Sequence, residues 1–167
     1  MDLGGPAIQV AAGGFHTCAI LEGGDVVCWG QGATGRLGYG NTDNVGDDEV
    51  PADVGTVDLG GTAIQLSAGT FGTCAVLDGG ELKCWGGITQ GIGEIIGDDE
   101  TPAEADPVVI GGPVERVSVG YTHSCVLLAN GRIRCWGRND SGELGYGHTE
   151  YIGDDEYPAA ACDVPVM

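Results

Sequence analysis

The stretch Cys18 to Glu49, CAILEGGDVVCWGQGATGRLGYGNTDNVGDDE, limits what this chain can become, because it returns twice with its landmarks in the same order. Cys18, Cys74 and Cys125 open the copies, Trp29, Trp85 and Trp136 follow eleven residues later, and GDDE recurs at Gly46, Gly97 and Gly153. Upstream phrases repeat as well, DLGGPAIQVAAG from Asp2, DLGGTAIQLSAG from Asp58 and VIGGPVERVSVG from Val109. The chain is therefore read as three repeats, 2–57, 58–108 and 109–164. A unit of this size that recurs in series is one supersecondary element, which buries its apolar faces only by stacking on its neighbours. Both ends fall close to repeat boundaries, so the segment is expected to be a piece of a longer array.

Each copy reads as strands. With 33 Gly and 7 Pro in 167 residues, and few long apolar side chains, short strands and tight turns are favoured over helices. AIQVAAG (7–13) is a first short strand, and HTCAILEGGDVVCWG (16–30) is a hairpin. The third copy, HSCVLLANGRIRCWG, shows the turn most openly, since Asn130 and Gly131 tolerate positive φ. A three-residue loop at Ala129 to Gly131 places Cys125 opposite Cys135, and by repetition Cys18 opposite Cys28 and Cys74 opposite Cys84. Directly opposed residues have Cβ atoms about 4.5–5.5 Å apart, within modest adjustment of a disulfide. A two-residue loop would instead put the sulfurs on opposite faces. Because side chains alternate along a strand, Trp29, Trp85 and Trp136 face away from the cysteines. One face of each hairpin thus carries the sulfurs and Ile20 or its equivalents, the other an indole, and both need cover.

The seven cysteines make three equally spaced pairs plus Cys162. No CxxC is present, which argues against zinc. Two readings remain for the pairs: disulfides, or reduced buried thiols used as small apolar residues. Oxidised pairs would place the parent protein in an extracellular or periplasmic compartment. Cys162 lies outside the hairpin pattern and is a candidate intermolecular thiol.

After each Trp comes a Gly-, Asn- and Asp-rich excursion that ends in GDDE and a proline. It keeps the phrase LGYG in the first and third copies and contracts to GGITQGIGEIIGDDETP in the second. Pro51, Pro102 and Pro158 suit entry to an edge strand. Four antiparallel strands per repeat are therefore expected, the last outermost and the next repeat's first strand innermost. Charge narrows the partners, since 25 acidic residues against 6 basic ones leave a net −19. A phosphate-binding surface needs clustered Lys and Arg, so nucleic acid and anionic membranes are not expected as partners.

The phrases AGGFHTCAILEGGDVVCWG, GRLGYGNT and GDDEVP resemble the repeat of the regulator of chromosome condensation family, over essentially the whole chain. The resemblance implies an all-β fold, a β-propeller built from four-stranded blades, typically about seven to a ring. It implies no single function, because that fold hosts nucleotide-exchange factors, a plant light receptor and a secreted β-lactamase inhibitor. Nothing here resembles the inserted wedge of the exchange factors, so their role is not carried over. A cysteine pair in every copy is similar to the exported bacterial branch of the family. Three blades are too few to close a ring, so two flanks are expected bare. Self-association should follow, with two arcs closing a six-bladed ring or arcs stacking head to tail.

Gly30, Gly32 and Gly35 spell GxGxxG after a strand, but no helix can follow in RLGYGNTDN and Asn139 replaces the middle glycine in copy three. These glycines are read as turn residues, not a dinucleotide cradle. His16 and His123 share one repeat position, filled by Gly72 in copy two. Repetition points to a structural hydrogen bond rather than a catalytic base. The GDDE loops are the sharpest functional candidates: Asp47, Asp48, Glu49, Asp98, Asp99, Glu100, Asp154, Asp155 and Glu156. Clustered carboxylates can hold calcium, yet the alternating D-x-D-x-D spacing is missing. The other reading is a solvated acidic rim that keeps a glycine-rich repeat soluble. Asn139, Asp140 and Ser141 form an N-x-S sequon. The expected function is a non-catalytic module for protein–protein interaction and self-assembly, its partners a second copy and an unidentified protein. The alternatives are a calcium-binding extracellular repeat and part of a propeller enzyme, for which these repeats supply no catalytic constellation and no other cofactor site.

Overall fold

The computed structural model describes residues 1–87, 95–154 and 156–165. Nine strands form three antiparallel sheets of three, each in simple chain order. The first sheet holds β1 (Ala7–Ala12), β2 (His16–Leu21) and β3 (Val26–Gly30). The second holds β4 (Ala63–Ala68), β5 (Gly72–Leu77) and β6 (Leu82–Gly86), and the third β7 (Val114–Val119), β8 (His123–Leu128) and β9 (Ile133–Gly137). Each sheet is one blade, with the first strand and hairpin where the sequence puts them.

The hairpin register follows the three-residue loop. Leu21 N donates to Asp25 O at 2.8 Å and Leu128 N to Arg132 O at 2.8 Å, closing loops of three residues. Cys18 then pairs with Cys28, Cys74 with Cys84 and Cys125 with Cys135, and each pair is a disulfide with Cα atoms 4.0 Å apart. The approach is this close for a reason on the edge strand. Cys28 N donates to the Tyr39 hydroxyl at 3.0 Å, and that hydroxyl donates to Cys28 O at 3.1 Å. The backbone of Cys28 therefore faces outward, which makes Cys18 and Cys28 a non-hydrogen-bonded pair, the kind whose side chains lie nearest. Tyr146 serves Cys135 in the same way, at 3.0 Å to both N and O.

In the first and third blades the tyrosine of LGYG thus occupies the middle of the outer edge, and in every blade the main chain returns to that edge at two points. At one end Gly30 N donates to Val45 O at 2.8 Å, Gly86 N to Ile96 O at 2.7 Å and Gly137 N to Ile152 O at 2.7 Å. At the other Val57 N donates to Val26 O at 2.8 Å, Val108 N to Leu82 O at 2.9 Å and Val164 N to Ile133 O at 2.9 Å. Each of these valines comes six residues after a proline. Pro51 opens the one-turn helix α1 (Pro51–Val54) and Pro158 a 3₁₀ turn (Pro158–Ala160). A first helical position suits proline because its missing N–H would have no helical partner there.

Blades stack sulfur face on indole face. Cys18, Ile20, Val26 and Cys28 of the first blade form one apolar cluster with Leu66, Ala75, Leu77 and Trp85 of the second. Cys74, Val76, Leu82 and Cys84 do the same with Val117, Val126, Leu128 and Trp136. Trp85 and Trp136 are 0% exposed. Burying an indole removes on the order of 200 Å² from water, an upper figure of about 5 kcal/mol each.

Each disulfide closes a short loop, with a sequence separation of 10, and the chain-entropy relation gives about 3 kcal/mol for such a loop. Replacing Cys74 and Cys84 together by alanine is expected to lower the urea unfolding free energy by about that amount. An unchanged midpoint would mean that the bond contributes nothing to the fold.

Candidate interaction surface

The candidate site is the joint between blades, which occurs twice in finished form. The first strand of a blade has no strand beyond it, so its outward amides lack a ladder partner. Gln9 answers for Leu66 in the next blade: Nε2 donates to Leu66 O at 2.8 Å, and Leu66 N donates to Oε1 at 3.1 Å. Gln65 does the same for Val117, at 3.1 and 2.8 Å. A carboxamide can do this because it offers a donor and an acceptor side by side. Backbone bonds accompany it. Gly14 N donates to Gly69 O at 3.0 Å and Thr70 N to Gly120 O at 3.4 Å, while Ala63 N reaches Gly24 O at 3.0 Å and Val114 N reaches Gly80 O at 2.8 Å. A methyl group on Gly13 or Gly69 would run into the carbonyl of Gly69 or Gly120, so close approach explains these glycines.

His16 completes the first joint, as a structural hydrogen bond. Its Nε2 lies 2.6 Å from Thr73 Oγ1 in the next blade's β5, and Thr73 Oγ1 donates to Arg36 O at 3.3 Å. With its proton given to Arg36 O, the hydroxyl accepts from Nε2–H, which fixes the imidazole tautomer. Burial, and then the Arg36 cation, lower the His16 pKa to about 4. Arg36 is itself only 4% exposed. Its Nε donates to Ala33 O at 2.7 Å and Nη1 to Thr70 O at 3.3 Å, and it lies 5.6 and 5.8 Å from the ring centres of Phe15 and Phe71. Carbonyls and π faces hold this cation in place of a carboxylate. Neither Gln9 nor Arg36 stands out in the sequence reading, although repetition at Gln65 was a signal for the first.

The outer flanks carry the unmatched halves of the joint. Trp29 is half-buried, against full burial of the two inner indoles. Val10 is 65% exposed where its counterparts Leu66 and Val117 are 2% and 5%. On the far side Cys125, Leu127 and Ile133 are half-buried where Cys18, Ile20 and Val26 are fully enclosed. His123 is half-buried on the same flank.

The GDDE loops close on themselves. Gly46 N donates to Glu49 Oε1 at 2.8 Å and Gly153 N to Glu156 Oε1 at 3.3 Å, so the glutamate ties the turn it ends. Carboxylate oxygens of Asp47, Asp48 and Glu49 lie within 4.8 Å of one another, as do those of Asp98, Asp99 and Glu100. Partial burial, and then the neighbouring Asp99 carboxylate, to which a protonated Glu100 donates, raise the Glu100 carboxyl above its ordinary value. Asp154 is exposed, and Asp155 lies outside the described residues, as does 88–94 of the contracted second loop. Gly97 packs on Gly35 and Gly38 of the preceding blade's loop, which gives Gly35 of the GxGxxG phrase a structural duty. Asn139 is 0% exposed. Its amide donates to His148 O and Glu150 O, both at 2.9 Å, and its Oδ1 accepts from Leu144 N at 3.0 Å, so the sequon nitrogen is committed inside the fold. Cys162 is a free, exposed thiol.

Comparison with known proteins agrees with this architecture. A family model described as "Regulator of chromosome condensation (RCC1) repeat" matches residues 7–36 and 114–143, and a second of the same description matches 23–76. The chain is 31% identical over 144 residues to the Ultraviolet-B receptor UVR8 of Arabidopsis thaliana, covering 84% of this chain and 32% of that protein. It is 32% identical over 140 residues to the Regulator of chromosome condensation of Homo sapiens, covering 83% of this chain and 32% of the relative. Among solved structures, human WBSCR16 superposes with a TM-score of 0.73 at 23% identity, over 93% of this chain and 38% of that one. Prp20p from Saccharomyces cerevisiae does so with a TM-score of 0.62 at 23% identity, over 86% and 35%. The chain thus spans about a third of these relatives.

His16 gives the joint a pH dependence. Its folded pKa of about 4 lies below the ordinary 6.5, so the unfolded chain binds the proton more readily between those values. The stability is intact above pH 6.5 and is lost as pH falls toward 4, at about 1.4 kcal/mol per unit. Between pH 7 and pH 5, wild type is expected to lose roughly 2 kcal/mol relative to His16→Gln. Parallel unfolding curves at the two pH values would show that the imidazole is not held neutral.

Proposed function

Because the chain belongs to the regulator of chromosome condensation repeat family, we propose that it is a non-catalytic propeller segment that works by docking, with a further blade taken up by each bare flank. The observation that carries this reading is that one joint is made twice inside the chain and its two halves are left over, an indole face at Trp29 and a sulfur face at Cys125, Leu127 and Ile133. A second copy supplies both halves in the right order, so arcs add head to tail and either close or extend according to the angle between blades. Prp20p of Saccharomyces cerevisiae binds Gsp1p and histones. That supports protein as the partner class of such propellers, while a net charge of −19 turns this chain away from nucleic acid. Three disulfides suit an oxidising compartment, and we place the parent protein outside the cytosol on that ground.

We assign the GDDE carboxylates to turn closure and solvation, since each of two glutamates is spent on its own loop. Millimolar calcium is expected to leave the melting temperature unchanged; a saturable rise would return the calcium reading.

Sedimentation equilibrium tests the docking. The average mass should climb with concentration from that of one 16.9 kDa chain toward multiples of it. Val10→Arg, at a position open in the single arc, should hold the mass at one chain without lowering the melting temperature. A wild-type mass that stays at one chain throughout would overturn the head-to-tail addition of copies.

A further inference from the structure

The third blade's open flank differs in charge from the first joint at two polar positions, and both differences act in the same direction. Arg116 in β7 stands where Gln9 stands in β1 and Gln65 in β4. Glu143 stands where Arg36 does, in GELGYG against GRLGYG. Both are exposed. Three of the four basic residues in this repeat are engaged, Arg132 and Arg134 with Asp163 and Arg138 with Asp140. Arg116 has no hydrogen bond or ion pair among the described residues.

We propose that Arg116 and Glu143 determine which blade this flank accepts. They disfavour the first blade of another copy and select a blade of the same repeat type that offers an acceptor, such as a carboxylate, to Arg116 and a cation to Glu143. The proposal rests on the docking reading above and names the partner chemistry of one of its flanks.

The first joint shows what each position meets. At the glutamine position the next blade presents one backbone N–H and one C=O, those of Leu66, and a carboxamide answers both. A guanidinium has five donors and no acceptor. Facing Val10 of another copy, Arg116 satisfies the carbonyl and sets a donor against the N–H. At the arginine position the next blade presents the Thr70 carbonyl and the Phe71 ring. In another copy these are the Gly14 carbonyl and the Phe15 ring, both electron-rich, and Glu143 brings a carboxylate against them. That carboxylate holds its charge, because its own backbone N–H and that of Ser141 keep its pKa below the ordinary value, and Ser141 N donates to Oε2 at 2.9 Å.

Several other groups of the flank keep the pattern of one or both inner joints, although Thr122 stands where Phe15 does. His123 matches His16 and would meet Thr17 as His16 meets Thr73. Tyr121 N matches Thr70 N, and Gly131 O matches Gly24 O. The backbone of the joint repeats between blades while the charge at two polar positions is exchanged, which is how partner choice is set apart from affinity.

The test converts the two positions to the residues of the first joint. Arg116→Gln with Glu143→Arg is expected to tighten self-association in sedimentation equilibrium by at least about tenfold, the loss expected from one buried donor left without an acceptor. Arg116→Gln alone should give part of that gain, and it provides the reading should the double variant lose its fold. If wild type associates and neither variant is tighter, the specificity assignment is wrong while the docking reading stands. If wild type and both variants remain single chains, the docking reading fails and takes this inference with it. A single-chain wild type beside an associating variant would uphold the inference and show that the flank is closed to copies of itself.

Discussion

Everything in this molecule depends on a flat blade with two unlike faces, and on the contact of one kind of face with the other. A three-stranded sheet of five- and six-residue strands cannot bury both its surfaces, and a lone sheet of this size is marginal in water. The disulfide fixes which face is which. It presses two strands together at a non-hydrogen-bonded pair and presents its sulfurs to the indole of the next blade. Stability is then a sum over joints more than over blades, as in other repeat proteins. Hydrophobic contact gives the joint its strength, and Gln9, Gln65, His16 and Arg36 give it register.

How far this could be read from the sequence varies by feature. The hairpin register was legible because side chains alternate with period two and one loop length brings like residues together; Cys125, Cys135 and the Asn130–Gly131 turn were enough. The unlike faces followed from the same parity. The outer strand was harder, since Pro51 and the Val-rich run after it suggest a strand while Tyr39 takes that strand's hydrogen bonds at Cys28. Seeing this requires knowing that LGYG folds back eleven residues later onto the edge. Of the joint's polar code only His16 was legible, as a structural hydrogen bond: Gln9 meets a backbone 57 residues away and Arg36 one 34 residues away, distances set by stacking and not by local pattern. The G-x-x-E spacing of the GDDE loops held its own answer, since a glutamate three residues past a glycine can reach back to its N–H.

The acidic excess has a place in this scheme. On the docking proposal, a chain whose two flanks are halves of one contact would add without limit, and the exposed carboxylates would keep copies apart at long range without weakening a joint once formed. Arg36 fits the same logic, because it lies inside the joint where carbonyls and rings hold it away from the acids. On the third blade's flank a cation, Arg116, stands at the glutamine position and an anion, Glu143, at the position that Arg36 holds in the first joint.

The central claim is that Trp29 marks an unfilled joint whose finished form encloses Trp85 and Trp136. Acrylamide quenching of tryptophan fluorescence over a protein concentration series tests it most directly. The account predicts one quenchable indole alongside two protected ones in dilute protein, with the quenchable component shrinking and its emission shifting to the blue as concentration rises. Quenching that is uniform across the three indoles, or that does not change with concentration, would contradict it.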